Sequence, residues 1–470
     1  MNNELTSIAS AEGLTANDRD LVTELVKVWD KHRRKNRLRH TYYIMHNRFK
    51  DLEISIPPHL KNLPVACSWG AKVVDVMVDH LKFDGYTSSD AEIQSLLESI
   101  SRRVQFPSLY EMATTSALEQ CFSLLAVFAD DNGKPCVAAY PASVCGCKWD
   151  RLHNRLESAM FVVDSKRDSA GNSKPTWVNV VTDTYVIRIR RNDTRGGWKA
   201  EYVPHGLEHL PVFILRHKPS LMRPFGESRI TRDIMWYIDC AVRANVNEEV
   251  AAAFAASTQK YLLGTNGDPF EDVSAWQAYI GSIFNIDATD DGDVPQFGQL
   301  PQPSMQPLSD RWRLLCGKMS AASGIHVSQF GLVHDQPASG DAIYLENEPL
   351  MLKCKSWNNQ ARNVLVDVAI ALLATERGTT FDDIDAQGYN IAANLMNPAS
   401  PTLAQQTDSS VKIASAVDGF AQTRQFWLMN GFSVDEADRT MAEVEAVQTK
   451  QAANAVITGI FGETTDASTS

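Results

Sequence analysis

Cys136, Cys145, Cys147 and His153 are the first group of side chains that could do chemistry, since thiolate and imidazole are the ligands zinc takes. Their C-x-C spacing falls short of the C-x2–4-C pair of tetrahedral sites, so the plainer reading is buried small thiols with a hairpin turn at Gly146. Asp287-x-Thr289-x-Asp291-Gly292 opens like a calcium loop, yet its twelfth position is Gly298, where a bidentate glutamate is required. Asp287, Asp290, Asp291 and Asp293 then read as an acidic, exposed turn. A scattered acid–base set around His153, Asp164 and Asp183 would make the chain an α+β enzyme. No Walker A loop, G-x-G-x-x-G, H-E-x-x-H or G-x-S-x-G supports one. The residue types therefore predict no catalytic, cofactor-binding or metal-binding residue. A dense basic run (Lys31, Arg33, Arg34, Lys35, Arg37, Arg39) precedes Tyr42 and Tyr43. Charge runs usually face water, which favours a solvated helix face anchored by two tyrosines over a nucleic-acid patch.

Composition narrows the classes. The 470 residues are 44% hydrophobic and 22% charged, ample material for a core shared among about three domains. A net charge of −12 argues against gripping DNA through its phosphates. It still allows a duplex to slide past a repelling wall. The most apolar stretch, Val364 to Ala374, is too short to span a membrane and contains Asp367, so no membrane association is expected. The N-terminus lacks a basic start followed by an apolar run, and eight cysteines are too few for a disulfide scaffold.

The periodicity predicts helices over 18–50, 65–81, 90–102 and 107–120. Short β-branched or aromatic runs separated by turn residues then predict a mostly antiparallel meander over 121–216. Gly226-Glu-Ser228 opens a long helix with Ser228 as N-cap; over 228–258 it would be about 46 Å long. Residues 259–307 are rich in Gly and Pro and read as a small irregular insertion. Helices are expected over 308–323 and 342–375, the second bent at Pro349. Two more are expected over 409–429 and from a Ser433–Glu436 capping box to about 457. The fold class is α+β, mainly helical.

Read in order, several segments resemble one family. They are K-N-R-x-R-x-x-Y-Y (Lys35 to Tyr43), I-S-I-P-P (Ile54 to Pro58), G-L-E-H-L-P-V (Gly206 to Val212) and G-E-S-R-I (Gly226 to Ile230). A-A-S-G-I-H-V-S-Q-F-G (Ala321 to Gly331), A-S-G-D-A-I-Y-L-E-N-E-P-L (Ala338 to Leu350) and N-P-A-S-P-T-L-A-Q-Q-T-D (Asn397 to Asp408) complete the set. Together they resemble the portal proteins of tailed bacteriophages, in particular the SPP1-like family of actinobacteriophages.

The resemblance implies a homo-oligomeric ring, a dodecamer, at one capsid vertex of the virion, assembled in the host cytoplasm. Double-stranded DNA would enter through its channel during packaging and leave at ejection. The partners implied are the terminase large subunit, a head–tail adaptor, and the major capsid and scaffolding proteins. Residues 1–225 would be the wing, 226–258 a stem helix, 259–307 the clip and 308–323 the second stem helix. Residues 324–342 would be the tunnel loop, 343–398 the kinked helix and wing remainder, 399–458 the crown and 459–470 a disordered tail. His326, Ser328, Gln329, His334, Gln336 and Ser339 are the loop's candidate DNA contacts, and Asp290, Asp291 and Asp293 the clip's candidate partner contacts. Another virion structural or adaptor protein is the alternative on this side.

Overall fold

A computed structural model describes residues 7–47, 66–167, 173–192, 197–256, 260–263, 296–299, 304–332, 340–398, 403–432 and 434–462. Helix α1 (Ala16–Tyr43) begins at Thr15, whose hydroxyl accepts the Asp18 N–H at 3.3 Å and satisfies one of the first-turn donors. Helices α2 (Trp69–Val78), α3 (Ala91–Arg103) and α4 (Phe106–Gln120) follow, close to the expected spans, with an unexpected strand β1 (Phe83–Thr87) between α2 and α3.

The β region is antiparallel, as its turn chemistry requires. Strands β2 (Phe122–Ala129), β3 (Pro135–Pro141), β4 (Cys145–Asp150), β5 (Arg155–Arg167), β6 (Ser173–Val181), β7 (Tyr185–Arg191), β8 (Trp198–Pro204) and β9 (Val212–Arg216) make two sheets. One is a five-stranded meander, β4-β5-β6-β7-β8; in the other β9 returns to β2, giving β3-β2-β9. Alternation along the central strands buries both faces of the meander. Met160, Val178, Val180, Ile187 and Ile189 pack under α1 with Val22, Leu25 and Trp29. Ala159, Phe161, Val181 and Val186 pack against Leu124, Ala126, Val212 and Ile214 of the smaller sheet. The layers are thus helix, sheet, sheet.

The expected hairpin turn at Gly146 is corrected: Gly146 lies within β4, opposite Met160. A Cβ there would run into the Leu25 carbonyl oxygen of α1, so glycine is what lets the helix backbone lie directly on the strand.

Helix α5 (Arg232–Ala256), the antiparallel pair β10 (Lys260–Leu263) and β11 (Gln296–Gln299), and α6 (Gln306–Ser323) come next, with α5 packed against α6. Ser228 is not the N-cap of α5. Its hydroxyl is held by the Glu119 carbonyl and accepts the Ile230 N–H at 2.9 Å, while the Arg229 N–H donates to Leu118 O at 2.8 Å. These bonds pin 228–230 across the end of α4, so α5 starts later and is about 37 Å long.

Helix α7 (Gly340–Arg377) runs through Pro349, which removes one backbone donor from its interior. Helix α8 (Phe381–Ala386) starts on a Thr380/Asp383 capping box, and β12 (Ala392–Leu395) pairs with β1 across most of the chain. The single helix expected over 409–429 is instead α9 (Leu403–Ala416), a 3-10 turn at Phe420–Gln422 and α10 (Arg424–Met429), because Gly419 adopts φ 80° and ends the run. Helix α11 (Val434–Gly462) continues into the segment expected as tail. Ser433, Ile54 to Pro58, most of 259–307 and residues 463–470 lie outside the described residues. The chain divides into two compact units, 1–337 with 347–398 and 338–346 with 399–470, so the division falls twice near the start of α7. No helix among the described residues is long and apolar enough to cross a membrane.

Candidate functional site

The catalytic alternative needs His153, Asp164 and Asp183 together, and they are apart. His153 sits in the β4–β5 turn, its Nδ1 2.5 Å from Asp150 Oδ2. Asp183 lies in the β6–β7 turn, whereas Asp164 is nine residues along β5 from Arg155, about 30 Å of strand, and accepts from the Thr176 hydroxyl at 2.9 Å. The thiols also separate. Cys145 and Cys147 are 3% and 4% exposed in the core between the sheets, while Cys136 and His153 are exposed. Among the described residues no group of three His, Cys, Asp or Glu could hold a metal.

The basic run is a solvated face of α1: Lys31, Arg34, Lys35 and Arg37 are exposed. Arg33 lies over the Trp29 ring and pairs with Asp30 at 2.9 Å. Arg39 donates to Gln120 O at 2.7 Å. The two tyrosines do anchor the helix end. The buried Tyr42 hydroxyl donates to Asp239 of α5 at 3.0 Å, and that of Tyr43 donates to Asp75 of α2 at 3.0 Å.

That leaves the turn after α6. Gly324, at φ 70°, ends the helix in the left-handed conformation, its N–H donating to Ser320 O at 2.8 Å. The Ser323 carbonyl, one of the last that α6 leaves unpaired, receives Lys353 Nζ at 2.8 Å and the Arg229 guanidinium at 3.2 Å. Both cations complement the negative end of the helix dipole. Ile325 is buried. Phe330 is 5% exposed and packs edge-on against Trp69, which in turn meets Trp312 of α6 with centroids 5.0 Å apart.

Past Ile325 a single 3-10 turn, Val327–Phe330, holds Ser328 and Gln329, with His326 as its N-cap. His326 Nδ1 accepts the Ser328 N–H at 3.3 Å and lies 2.8 Å from the Ser328 hydroxyl. Ser328 and Gln329 are exposed and His326 half-buried. The structure therefore brings these three together as a polar knuckle on an apolar base. His334, Gln336 and Ser339, like Asp290, Asp291 and Asp293, lie outside the described residues. Reading the sequence missed Arg229, Lys353, Trp69 and Phe330, which fix the turn. The one signal was Arg229 itself, a lone cation between Ser228 and Ile230 in an apolar setting.

No family model matches the sequence. The chain is 20% identical over 417 residues to the portal protein of Mycobacterium phage L5, covering 85% of this chain and 82% of that one. It is 20% identical over 440 residues to the portal protein of Mycobacterium phage D29, covering 88% and 86%. Solved structures with similarity include the neck of a native GTA particle computed with C12 symmetry, with a TM-score of 0.41, 13% identity, and 77% of this chain and 89% of that chain covered. Another is the neck of an empty GTA particle computed with C6 symmetry, with a TM-score of 0.40, 12% identity, and 78% and 90% covered. The chain is thus similar along most of its length to curated relatives named portal protein.

Proposed function

We propose that the chain is the subunit of a portal ring, a dodecamer at one capsid vertex through which double-stranded DNA passes during packaging and ejection. The observation that carries this reading is similarity across 82% and 86% of the length of two proteins named portal protein. Two long helices packed together, α5 and α6, with the 264–295 insertion between them in sequence, suit a stem repeated about an axis. Residues 1–225 and 343–398 are the wing, 259–307 the clip and 399–458 the crown. Pro349 bends α7 where it leaves the tunnel loop. A ring built of chains carrying −12 each repels a duplex more than it holds one, which suits sliding. His326, Ser328, Gln329, His334, Gln336 and Ser339 touch the passing phosphates without locking onto them. The clip, with Asp290, Asp291 and Asp293, docks the terminase large subunit and then the head–tail adaptor. Major capsid and scaffolding proteins surround the ring, which assembles in the host cytoplasm. A separate terminase supplies the energy.

Native mass measurement with negative-stain imaging tests the ring. A ring with a central hole of duplex width is expected, and a monomer or dimer of closed outline overturns the reading. The loop has its own test. Because Phe330 is a buried anchor, the deletion should begin beyond it, removing 333–339. Rings should persist while capsids lose DNA retention; normal packaging would sink the loop assignment.

A further inference from the structure

A cleft of about 370 Å³ is lined by residues of α2, the 217–231 segment, the end of α6 and the middle of α7, among them Lys218, Glu227, Arg229 and Lys353. Arg229 is 6% exposed. Its guanidinium donates to Val73 O at 2.7 Å, Ser323 O at 3.2 Å and the Met77 sulfur at 3.3 Å, and to no carboxylate among the described residues. Those three bonds leave two of its five N–H donors, and Lys353 spends one of its three on the same Ser323 oxygen. Glu227 is the one acid among the described lining residues. It is already held by Lys218 at 3.3 Å and by Arg223.

Charge decides what this means. The lining carries three cations and one carboxylate, a net of +2. The C-terminus of α6 offsets only roughly half a charge. With Lys218 in solvent and paired to Glu227, the buried Arg229 and the neighbouring Lys353 meet no carboxylate of their own among the described lining residues, in a chain whose total is −12. Burial and the neighbouring charges of Arg229 and Lys218 already hold Lys353 below its ordinary range. Such a site is costly without a counter-charge, and a planar pair of oxygens matches the guanidinium fork.

We infer that this cleft is a binding site for an oxyanion, either inorganic phosphate or the carboxylate of an acidic side chain inserted by a neighbouring copy. A duplex, whose major groove alone is about 12 Å wide, is too large to enter it.

Thermal unfolding of the full chain in chloride buffer, with inorganic phosphate titrated in, tests the site. The wild type should show a saturable rise in Tm. Lys353→Gln and Lys218→Gln should bind phosphate about tenfold more weakly or worse, and Lys27→Gln, on the far exposed face of α1, should match the wild type. Lys218 is 74% exposed along its side chain, so its variant keeps the test valid should Lys353→Gln fold poorly. No saturable rise in the wild type together with unchanged ring assembly in both variants, or a rise in both variants equal to that of the wild type, overturns the inference. Ring assembly in phosphate-free buffer then separates the sources. Loss of rings in Lys218→Gln as well as Lys353→Gln identifies the neighbour's carboxylate, and a phosphate-dependent rise with intact rings identifies free phosphate. A wild type that forms no rings counts against the portal reading and leaves the phosphate measurement standing.

Discussion

Removing one hydroxyl, in Tyr42→Phe, tests the joint between α1 and α5. Tyr42 is 4% exposed and Asp239 6%, and the phenol donates to both carboxylate oxygens, at 3.0 and 3.1 Å. Burial, and then Asp239, pushes the phenol up to about 12, so it remains a donor throughout the neutral range. Phenylalanine fills the same volume but takes from the carboxylate a hydroxyl that reaches both its oxygens. A hydrogen bond to a charged group contributes about 1.5–3 kcal/mol, which is roughly 10- to 150-fold in the unfolding equilibrium. Urea denaturation of Tyr42→Phe, Asp239→Asn and the double variant gives the coupling directly, and it should fall in that range. Tyr43→Phe, whose half-buried bond to Asp75 is 3.0 Å long, should cost about 1 kcal/mol. A Tyr42–Asp239 coupling below about 0.5 kcal/mol, the level at which independent sites simply add, would refute the claim that this bond ties α1 to α5.

Acid should destabilise the chain through His217, which burial pushes down to about 4. The folded state keeps the imidazole neutral while the unfolded chain protonates it near 6.5. Stability is therefore lost as pH falls from about 6.5 to 4, by at most about 3 kcal/mol from this group. His217→Gln should flatten that limb in urea midpoints measured from pH 4 to 7, and an unchanged limb would exclude His217 as its source. Gly146→Ala should cost about 1–3 kcal/mol, because the new Cβ meets the Leu25 carbonyl and lies 3.2 Å from Trp29 Cβ; a neutral effect on the denaturation midpoint would mean α1 does not rest on β4. Phe330→Ala should cost about 3 kcal/mol locally, read as faster amide exchange over 316–332 with the sheet amides unchanged. Exchange that speeds equally everywhere would place Phe330 in the global core instead.

What the sequence made legible followed from local signals. Strands β2, β3 and β5 to β9 are β-branched or aromatic runs bounded by turns such as Asp131-Asn132-Gly133, and all fall within the antiparallel region expected over 121–216. Strand β4 was missed because Cys-Gly-Cys-Lys-Trp-Asp carries no β-branched residue, and its glycine answers to a helix 120 residues earlier rather than to a turn. The pairing of β1 with β12 joins short segments some 300 residues apart, one holding a glycine and a register shift, so neither shows a clean period. Ser228 has the right chemistry for an N-cap, but the Glu119 carbonyl captures its hydroxyl, and tertiary contact overrides the local preference. At the candidate site the polar residues His326, Ser328 and Gln329 were readable by type. The apolar anchors and the two cations holding their base were not, since they come from α2, the 228–230 segment and α7.

That division of labour has a consequence for the loop. Its entry is set by backbone: a left-handed Gly324 and a Ser323 carbonyl fixed by Arg229 and Lys353. Its stop on the near side is set by one aromatic, Phe330, seated on Trp69. None of these constraints involves the side chains of Ser328 or Gln329, so Gln329 can be exchanged for another polar residue without moving the turn, whereas His326 caps it by accepting the Ser328 N–H. Ser328→Ala should therefore loosen the knuckle without affecting assembly, whereas Trp69→Ala should displace the loop base and α6 together. If the two variants behaved alike in amide exchange over α6, the loop would be positioned by its own polar contacts and not by the aromatic seat beneath it.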